Sequence, residues 1–576
     1  MNIDDDDVYY DLGSFHRHVT SESKETQKWF TRGLIWTYGF NHEEAASCFE
    51  KAVNHDPTCA MAYWGLAYCL GPNYNKPWAV FDDEDLENAI QRTRRAAEMA
   101  MDCANTVTSV ERALVEAIRS RCPQGGGEGR EDCKMWNKRY AEAMEGVYRR
   151  FPGDLDVATL YADALMNLTP WELWDLRTGR PAEGAQTLEA KQVLDLALTQ
   201  DGALEHPGLL HLYIHLMEMS STPELALTVA DCLRGLVPDS GHLNHMPTHL
   251  DILCGDYRRA IVSNSDAIRA DSVFQKRAGG MNFYTLYRLH NYHFRIYAAM
   301  FSGQSKVALD TVTQLEDALP EDLLRVQSPP TADWLEGFLA MRVHALIRFG
   351  RWEEILDLNL PQDKELYCVT VTMTHYAKGV ALAVIGRIKE ATEQRKSFIN
   401  AMQRVGSTRT LFNNTCRDIL AVAEAMLDGE LEYRKGNFQS AFEQLERAIH
   451  LDDSLPYDEP WGWMQPTRHA YGALLLEQGC TEEALRVYEA DLGFNDTLPR
   501  AHRHPNNVWA LHGYHECLVK LNRTSEANII RPSLNLALAV ADIPIRSSCF
   551  CRNDTTGDGV MTPIEAGEAN CCKTGK

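Results

Sequence analysis

Apolar residues recur at three- and four-residue intervals along most of the chain, broken by short turns that carry Gly or Pro. That period predicts paired amphipathic helices rather than strands. From Trp29 to Pro57, the residues Gly33, Ala45, Phe49, Ala52 and Pro57 fall at offsets of 12, 16, 19 and 24 from the glycine, and Tyr63-Trp-Gly-Leu-Ala67 opens the next stretch. Small residues at such positions let two helices approach closely, and a proline ends the second one.

This spacing resembles the tetratricopeptide repeat, a helix-turn-helix unit of about 34 residues. The twelve-residue offset returns at Gly379 with Ala391, at Gly429 with Ala441, followed by Ala448, and at Gly472 with Ala484. Gly255, Gly303, Gly350, Gly386, Gly436 and Gly479 each stand just before a second helix. The expected fold is therefore all-α, an α-solenoid of TPR-like helix-turn-helix repeats. We divide the chain into an acidic extension (1–28), N-terminal repeats (29–160), a central His-rich helical region (161–300), C-terminal repeats (301–543) and a Cys-rich tail (544–576). Three stretches interrupt the period: the glycine-rich run after Pro123, Met166 to Pro181, and Pro456 to Pro466. Irregular segments on a regular scaffold commonly carry function.

Charge narrows the partners. The 576 residues carry a net charge of −24, which repels phosphates and argues against a nucleic-acid or anionic-membrane surface. No apolar run is long enough to cross a bilayer, and the start Met1-Asn-Ile-Asp-Asp-Asp-Asp7 lacks the features of a secretory signal. A cytoplasmic protein with mostly reduced core cysteines is expected from the irregular scatter of its 16 Cys.

The chemistry concentrates between Gly202 and Cys254. His211, His215 and Glu218 stand at i, i+4 and i+7, so a helix places them on one face. His242, His245 and His249 stand at i, i+3 and i+7, although Pro247 makes a helix start near that residue and leaves His242 and His245 on the entering turn. Two such stripes facing each other would converge on a divalent transition metal: copper, iron or zinc. In Leu289 to Tyr297, His293 is a candidate further ligand and Tyr297 a candidate catalytic group, whereas His290 reads as a partly exposed helix residue. Asn73, Asn167, Trp171 and Trp174 are candidates for a pocket wall; the two tryptophans serve equally well as packing anchors for their loop. In the tail, Asp554, Thr556, Asp558, Gly559 and Glu565 match positions of a calcium loop, with Thr556 and Pro563 departing from the pattern. The cysteines around that loop would suit a soft ion or a disulfide.

The chain resembles a family of bacterial and fungal tetratricopeptide-repeat proteins. The resemblance runs over nearly the whole repeat region and is carried by Ala67 to Asn75, Met166 to Trp171, His206-Pro-Gly208, Tyr213-Ile-His215 with Glu218, and His242 to His249. It implies the fold and the His motifs without naming a reaction. Because fungal members sometimes accompany biosynthetic genes, it also implies a role in small-molecule secondary metabolism.

Two classes of function follow. One is a metal-dependent enzyme acting on a small organic molecule, either a copper or iron oxidoreductase or a zinc hydrolase with Glu218 as general base. The other is a non-catalytic adaptor holding a peptide or protein partner in its repeats. Phosphate-binding glycine loops and a Gly-x-Ser-x-Gly elbow are absent from the sequence, and Leu212 stands where zinc proteases carry Glu after the first His.

Overall fold

A computed structural model describes residues 9–123 and 130–552. The acidic start, the glycine-rich run after Pro123, the calcium-like loop and Cys571-Cys572 lie outside the described residues. Among the described residues the regular elements are helices apart from two ribbons of two-residue strands. No helix there is long and apolar enough to cross a membrane. The chain divides into two compact units: Met1–Leu250 with Ser263–Asn291 and Val326–Pro330, and Asp251–Val262 with Tyr292–Arg325 and Thr331–Lys576.

The first unit is built from helix pairs. Helix α1 (Lys24–Tyr38) and α2 (His42–His55) start on side-chain caps, with Ser23 accepting from Thr26 N and Asn41 from Glu44 N. The next helix, α3 (Ala60–Cys69), opens a second pair. Phe49 explains the glycines of the pattern: a Cβ on Gly33 would lie 2.8 Å from its ring and one on Gly65 2.3 Å. The aromatic of one helix thus sits between glycines of the two flanking helices. Later elements of this unit are α4 (Leu155–Met166), α5 (Pro207–Glu218), α6 (Gly241–His245) and α7 (Pro247–Leu253). Two long helices follow, α8 (Tyr257–Ala278) and α9 (Thr285–Phe301), of which residues 263–278 and 285–291 belong to this unit. Pro247 opens α7, where its missing N–H has no intrahelical acceptor to satisfy. His242 and His245 accordingly ride on one short turn ahead of it. The Trp-rich break after Met166 forms one ribbon, Trp174 and Asp175 pairing with Pro181 and Arg180.

The second unit repeats the arrangement. It contains α10 (Met341–Arg348), α11 (Cys368–Val384), α12 (Ile388–Met402), α13 (Cys416–Arg434), α14 (Phe438–Asp453), α15 (Thr467–Glu477), α16 (Thr481–Leu492), α17 (Val508–Lys520) and α18 (Thr524–Val540). Tyr488 takes the role of Phe49, with Cβ positions on Gly472 and Gly513 lying 2.6 and 2.3 Å from its ring. Turns between paired helices place Gly350, Gly386, Gly436 and Gly479 at positive φ, as the sequence pattern predicts. Asn522 fills the same role before α18, and in the first unit Phe40 does so between α1 and α2 at φ 55°.

Candidate metal centre

Helix α5 brings the first two histidines into the core. His206 caps it, accepting from Leu209 N at 3.0 Å, and Pro207 occupies its first turn. Gly208 lets α5 lie against α1, since a Cβ there would meet Tyr38 Cδ1 at 2.4 Å. That approach brings His211 Nδ1 within 2.6 Å of the Tyr38 carbonyl. One turn on, His215 Nδ1 meets Glu218 Oε1 at 2.9 Å.

From α6, α7 and α9 come the other four. His242 is positioned through its backbone, its N–H donating to Tyr284 Oη at 3.1 Å. Gly241 precedes it because the Asp271 carboxylate lies where a Cβ would be, with Oδ1 only 1.9 Å away. His245 Nδ1 faces Asn264 Oδ1 at 2.7 Å, and Asn264 Nδ2 is itself directed to Thr248 Oγ1 at 3.3 Å. His249 Nδ1 meets Glu218 Oε2 at 2.6 Å. His290 projects from α9 with its ring 4.6 Å from that of His245.

Two groups of three result: His211, His215 and His242, and His245, His249 and His290. All six are buried, and within each group the ligand-capable nitrogens lie within 4.8 Å of one another. Across the groups, the rings of His215 and His249 and those of His242 and His245 are each 5.9 Å apart. Among the described residues, His211 Nε2, His215 Nε2 and both ring nitrogens of His242 are buried with no hydrogen-bond partner. A buried imidazole nitrogen left without a partner is costly, so three rings sharing that condition around one point is the arrangement a cation relieves.

The outer contacts carry the same message. His211, His215, His245 and His249 each present Nδ1 to a fixed oxygen, which sets the Nδ1–H tautomer and turns the Nε2 lone pair inward. For His245 and His249 this has a sharper consequence, because their Nε2 atoms are 2.8 Å apart. With both Nδ1 atoms protonated, lone pair faces lone pair, and only a proton or a metal ion between them removes the repulsion.

Burial holds His211, His242 and His245 well below the usual imidazole range, with neighbouring imidazoles adding to the effect. His215 is lowered by burial as well, against the opposing pull of Glu218. Burial alone would raise the Glu218 carboxyl, but His215 and His249 outweigh it and keep the group ionised. Four of the six imidazoles are thus held toward the neutral form, with one carboxylate behind His215 and His249.

Several residues of the sequence pattern stand elsewhere. Both Glu218 oxygens face imidazole Nδ1 atoms, those of His215 and His249. His293 belongs with the second unit, where its Nε2 lies 2.9 Å from Met464 Sδ and its ring packs edge-on to Phe338. Three residues apart, the His290 and His293 imidazoles are offset by about 60° around α9 and one turn along it, and it is the His290 ring that lies 4.6 and 5.8 Å from those of His245 and His249. Conversely His290, expected to be partly exposed, is 8% exposed and completes the second group. Tyr297 is buried in the second unit against Phe301, with ring centroids 4.3 Å apart.

The wall candidates divide. Trp171 packs edge-to-face with His215, ring centroids 5.8 Å apart, and also packs on Tyr74, whose ring centroid is 4.9 Å from that of the same imidazole. Trp174 instead anchors the ribbon, donating Nε1–H to the Leu216 carbonyl at 2.6 Å. Asn167 donates to Asp163 from Nδ2, at 2.8 Å to the carbonyl and 2.9 Å to Oδ1. Asn73 folds its own loop by accepting from Asn75 N and Lys76 N, yet it lines, with His211, Tyr68 and Asp163, a cavity of ≈ 10 Å³, room for about one water.

In class, then, this is an all-α helical-repeat protein whose first unit encloses a double three-histidine centre. No family model matches the chain, and no curated protein matches it. Solved structures similar to it include Naa15/Naa10 bound to HypK-THB, at 13% identity over 90% of this chain and 71% of that one, with a TM-score of 0.21. The APC/C hetero-tetramer Cut9-Hcn1 is similar at 12% identity over 90% and 94%, with a TM-score of 0.25. Likeness at these scores carries no inference, and the fold rests on the helices described above.

Proposed function

We propose that the protein is a metal-dependent oxidoreductase that holds two ions, one at His211, His215 and His242 and one at His245, His249 and His290. The observation that carries this reading is the cluster of buried imidazole nitrogens without partners, backed by Nδ1 contacts that aim the Nε2 atoms inward. Six imidazoles as donors favour copper over magnesium, calcium or manganese. Donors 2.8 Å apart, as His245 and His249 Nε2 are, subtend about 90° at an ion roughly 2.0 Å from each, a tetragonal angle suited to Cu(II) more than to tetrahedral zinc. Iron fits the nitrogen donors next best. Three protein ligands per ion leave further positions for an exogenous ligand, so dioxygen and a small organic molecule are the proposed reactants. The resemblance to fungal repeat proteins makes secondary metabolism the proposed setting.

In this reading Glu218 orients two ligands and is not the general base of a hydrolase. Copper and iron reconstitution followed by dioxygen uptake with small phenol and amine panels tests the assignment. Uptake that requires copper or iron supports it, whereas metal-bound protein that hydrolyses esters or amides and consumes no dioxygen would replace it with the zinc variant.

A non-catalytic peptide scaffold is favoured by one observation in the second unit. There the non-helical residues 544–552 lie across its helices: Ser548 O accepts from Arg348 Nη2 at 2.9 Å, Ser548 Oγ meets Tyr488 Oη at 2.6 Å, and Arg434 binds the Cys551 carbonyl. Within that segment Cys549 and Cys551 form a disulfide. These helices can therefore hold extended backbone, as an adaptor would. The segment fills that surface in cis, which is why the metal reading is preferred.

A further inference from the structure

Phe40 has no part in the metal reading above, yet its ring stands against all three imidazoles of the first group. Its centroid lies 4.4 Å from His211, 5.7 Å from His215 and 5.6 Å from His242. The imidazoles themselves are 4.8 Å (His211 to His215), 4.8 Å (His211 to His242) and 6.3 Å (His215 to His242) apart. Four rings thus take the corners of a rough tetrahedron. Three corners bring nitrogen donors; the fourth is hydrocarbon and has no lone pair to offer.

The backbone supplies a second, independent observation. The turn between α1 and α2 is closed by Phe40 N to Thr37 O at 3.1 Å and Asn41 N to Trp36 O at 3.0 Å. The same two bonds close the turns at Gly350, Gly386, Gly436, Gly479 and Asn522. Those positions need positive φ, and glycine or asparagine supplies it at little strain. Here a phenylalanine takes φ 55°, while the adjacent Gly39 has an ordinary φ of −88°. A bulky residue in the left-handed region is strained, and such strain persists where the side chain's position is used. Exchanging the two residues is closed by packing, since a Cβ on Gly39 would lie 2.9 Å from Ser240 Oγ, but position 40 itself could carry glycine or asparagine as the other turns do; what phenylalanine adds there is its ring against the histidines.

We infer that Phe40 is a specificity-determining residue that closes the fourth side of the ion held by His211, His215 and His242, so that small exogenous ligands cannot reach that ion. This rests on the two-ion reading. It makes the ions inequivalent: the shielded one is restricted to electron transfer and electrostatic support, and any dioxygen-sized ligand engages the partner ion at His245, His249 and His290.

Azide binding to the full-length Cu(II)-loaded protein tests this, followed by its optical charge-transfer band and by EPR, with copper counted on the same samples. Phe40→Gly and Phe40→Asn both suit the turn backbone. Each should keep the wild-type copper content and bind one more azide per protein than wild type does. Equal azide stoichiometry in wild type and variants overturns the inference while leaving the two-ion centre standing. Variants that lose copper overturn it too, because the ring would then be a prop for the imidazoles. Wild-type protein that takes up no copper overturns both readings together.

Discussion

His249 donates its Nδ1–H to Glu218 Oε2 at 2.6 Å, while the other oxygen of the same carboxylate receives His215 Nδ1 at 2.9 Å. One buried acid thereby fixes a ligand in each three-histidine group. Orienting carboxylates of this kind raise ligand basicity, and removing them typically lowers metal affinity 10–100-fold.

Glu218→Gln should therefore weaken copper binding by about 10–100-fold without reducing the number of ions held at saturation. Competition with a chelator of known affinity measures the first quantity, and metal counting at saturation the second. Loss of an ion at saturation would instead make Glu218 a direct ligand.

His290 and His293 lie one turn apart on α9 and meet different neighbours. His290→Ala should lose the ion of the second group, and His293→Ala, whose ring packs with Met464 and Phe338, should lose none. Metal content of the two single variants checks this; the reverse result would move the centre.

The repeat pattern made the fold legible because the close contacts of Phe49 with Gly33 and Gly65, and of Tyr488 with Gly472 and Gly513, require glycine at a fixed spacing. The histidines of α5 to α7 were legible for a similar reason: they are close in sequence and share a helical face. His290 was not, since its membership depends on tertiary packing of α9, and a His pair three apart gives no sign of which member faces inward. Glu218 has the spacing of a ligand, and that its two oxygens face His215 and His249 shows only in the geometry. The contribution of Tyr38 is a backbone carbonyl, which leaves no mark in a sequence. Phe40 had a faint signal, a turn glycine that stands one residue early in the first repeat.

Gly208→Ala should disturb both stability and the site. The new Cβ would stand 2.4 Å from Tyr38 Cδ1, forcing α5 away from α1 and stretching the His211 Nδ1 contact to the Tyr38 carbonyl. Overpacking of this kind destabilises by about 1–3 kcal/mol. Denaturant unfolding should show that loss, with weakened retention of the first-group ion; unchanged values for both would mean the helices have slack there.

The metal-free protein should lose stability on acidification. His211, His215, His242 and His245 are held below their usual range when folded, so the unfolded chain binds more protons below about pH 6.5. Stability is then fully present above that value and falls as pH drops toward the folded values, by up to about 1.4 kcal/mol per pH unit for each histidine. Asp271, pushed up to about 7 by burial, acts in the opposite sense, so the informative quantity is a difference between variants. His242→Gln should flatten the decline in Tm between pH 7.5 and 5.5 relative to wild type. An identical decline would show that His242 is not buried in its neutral form.

Metal counting by mass spectrometry on untagged, copper-loaded protein tests the central claim most directly. Wild type should hold two ions per chain, His211→Ala and His245→Ala one each, and the double variant His215→Ala/His249→Ala markedly less than wild type. Equal metal content in all four proteins, or none in wild type, would contradict it.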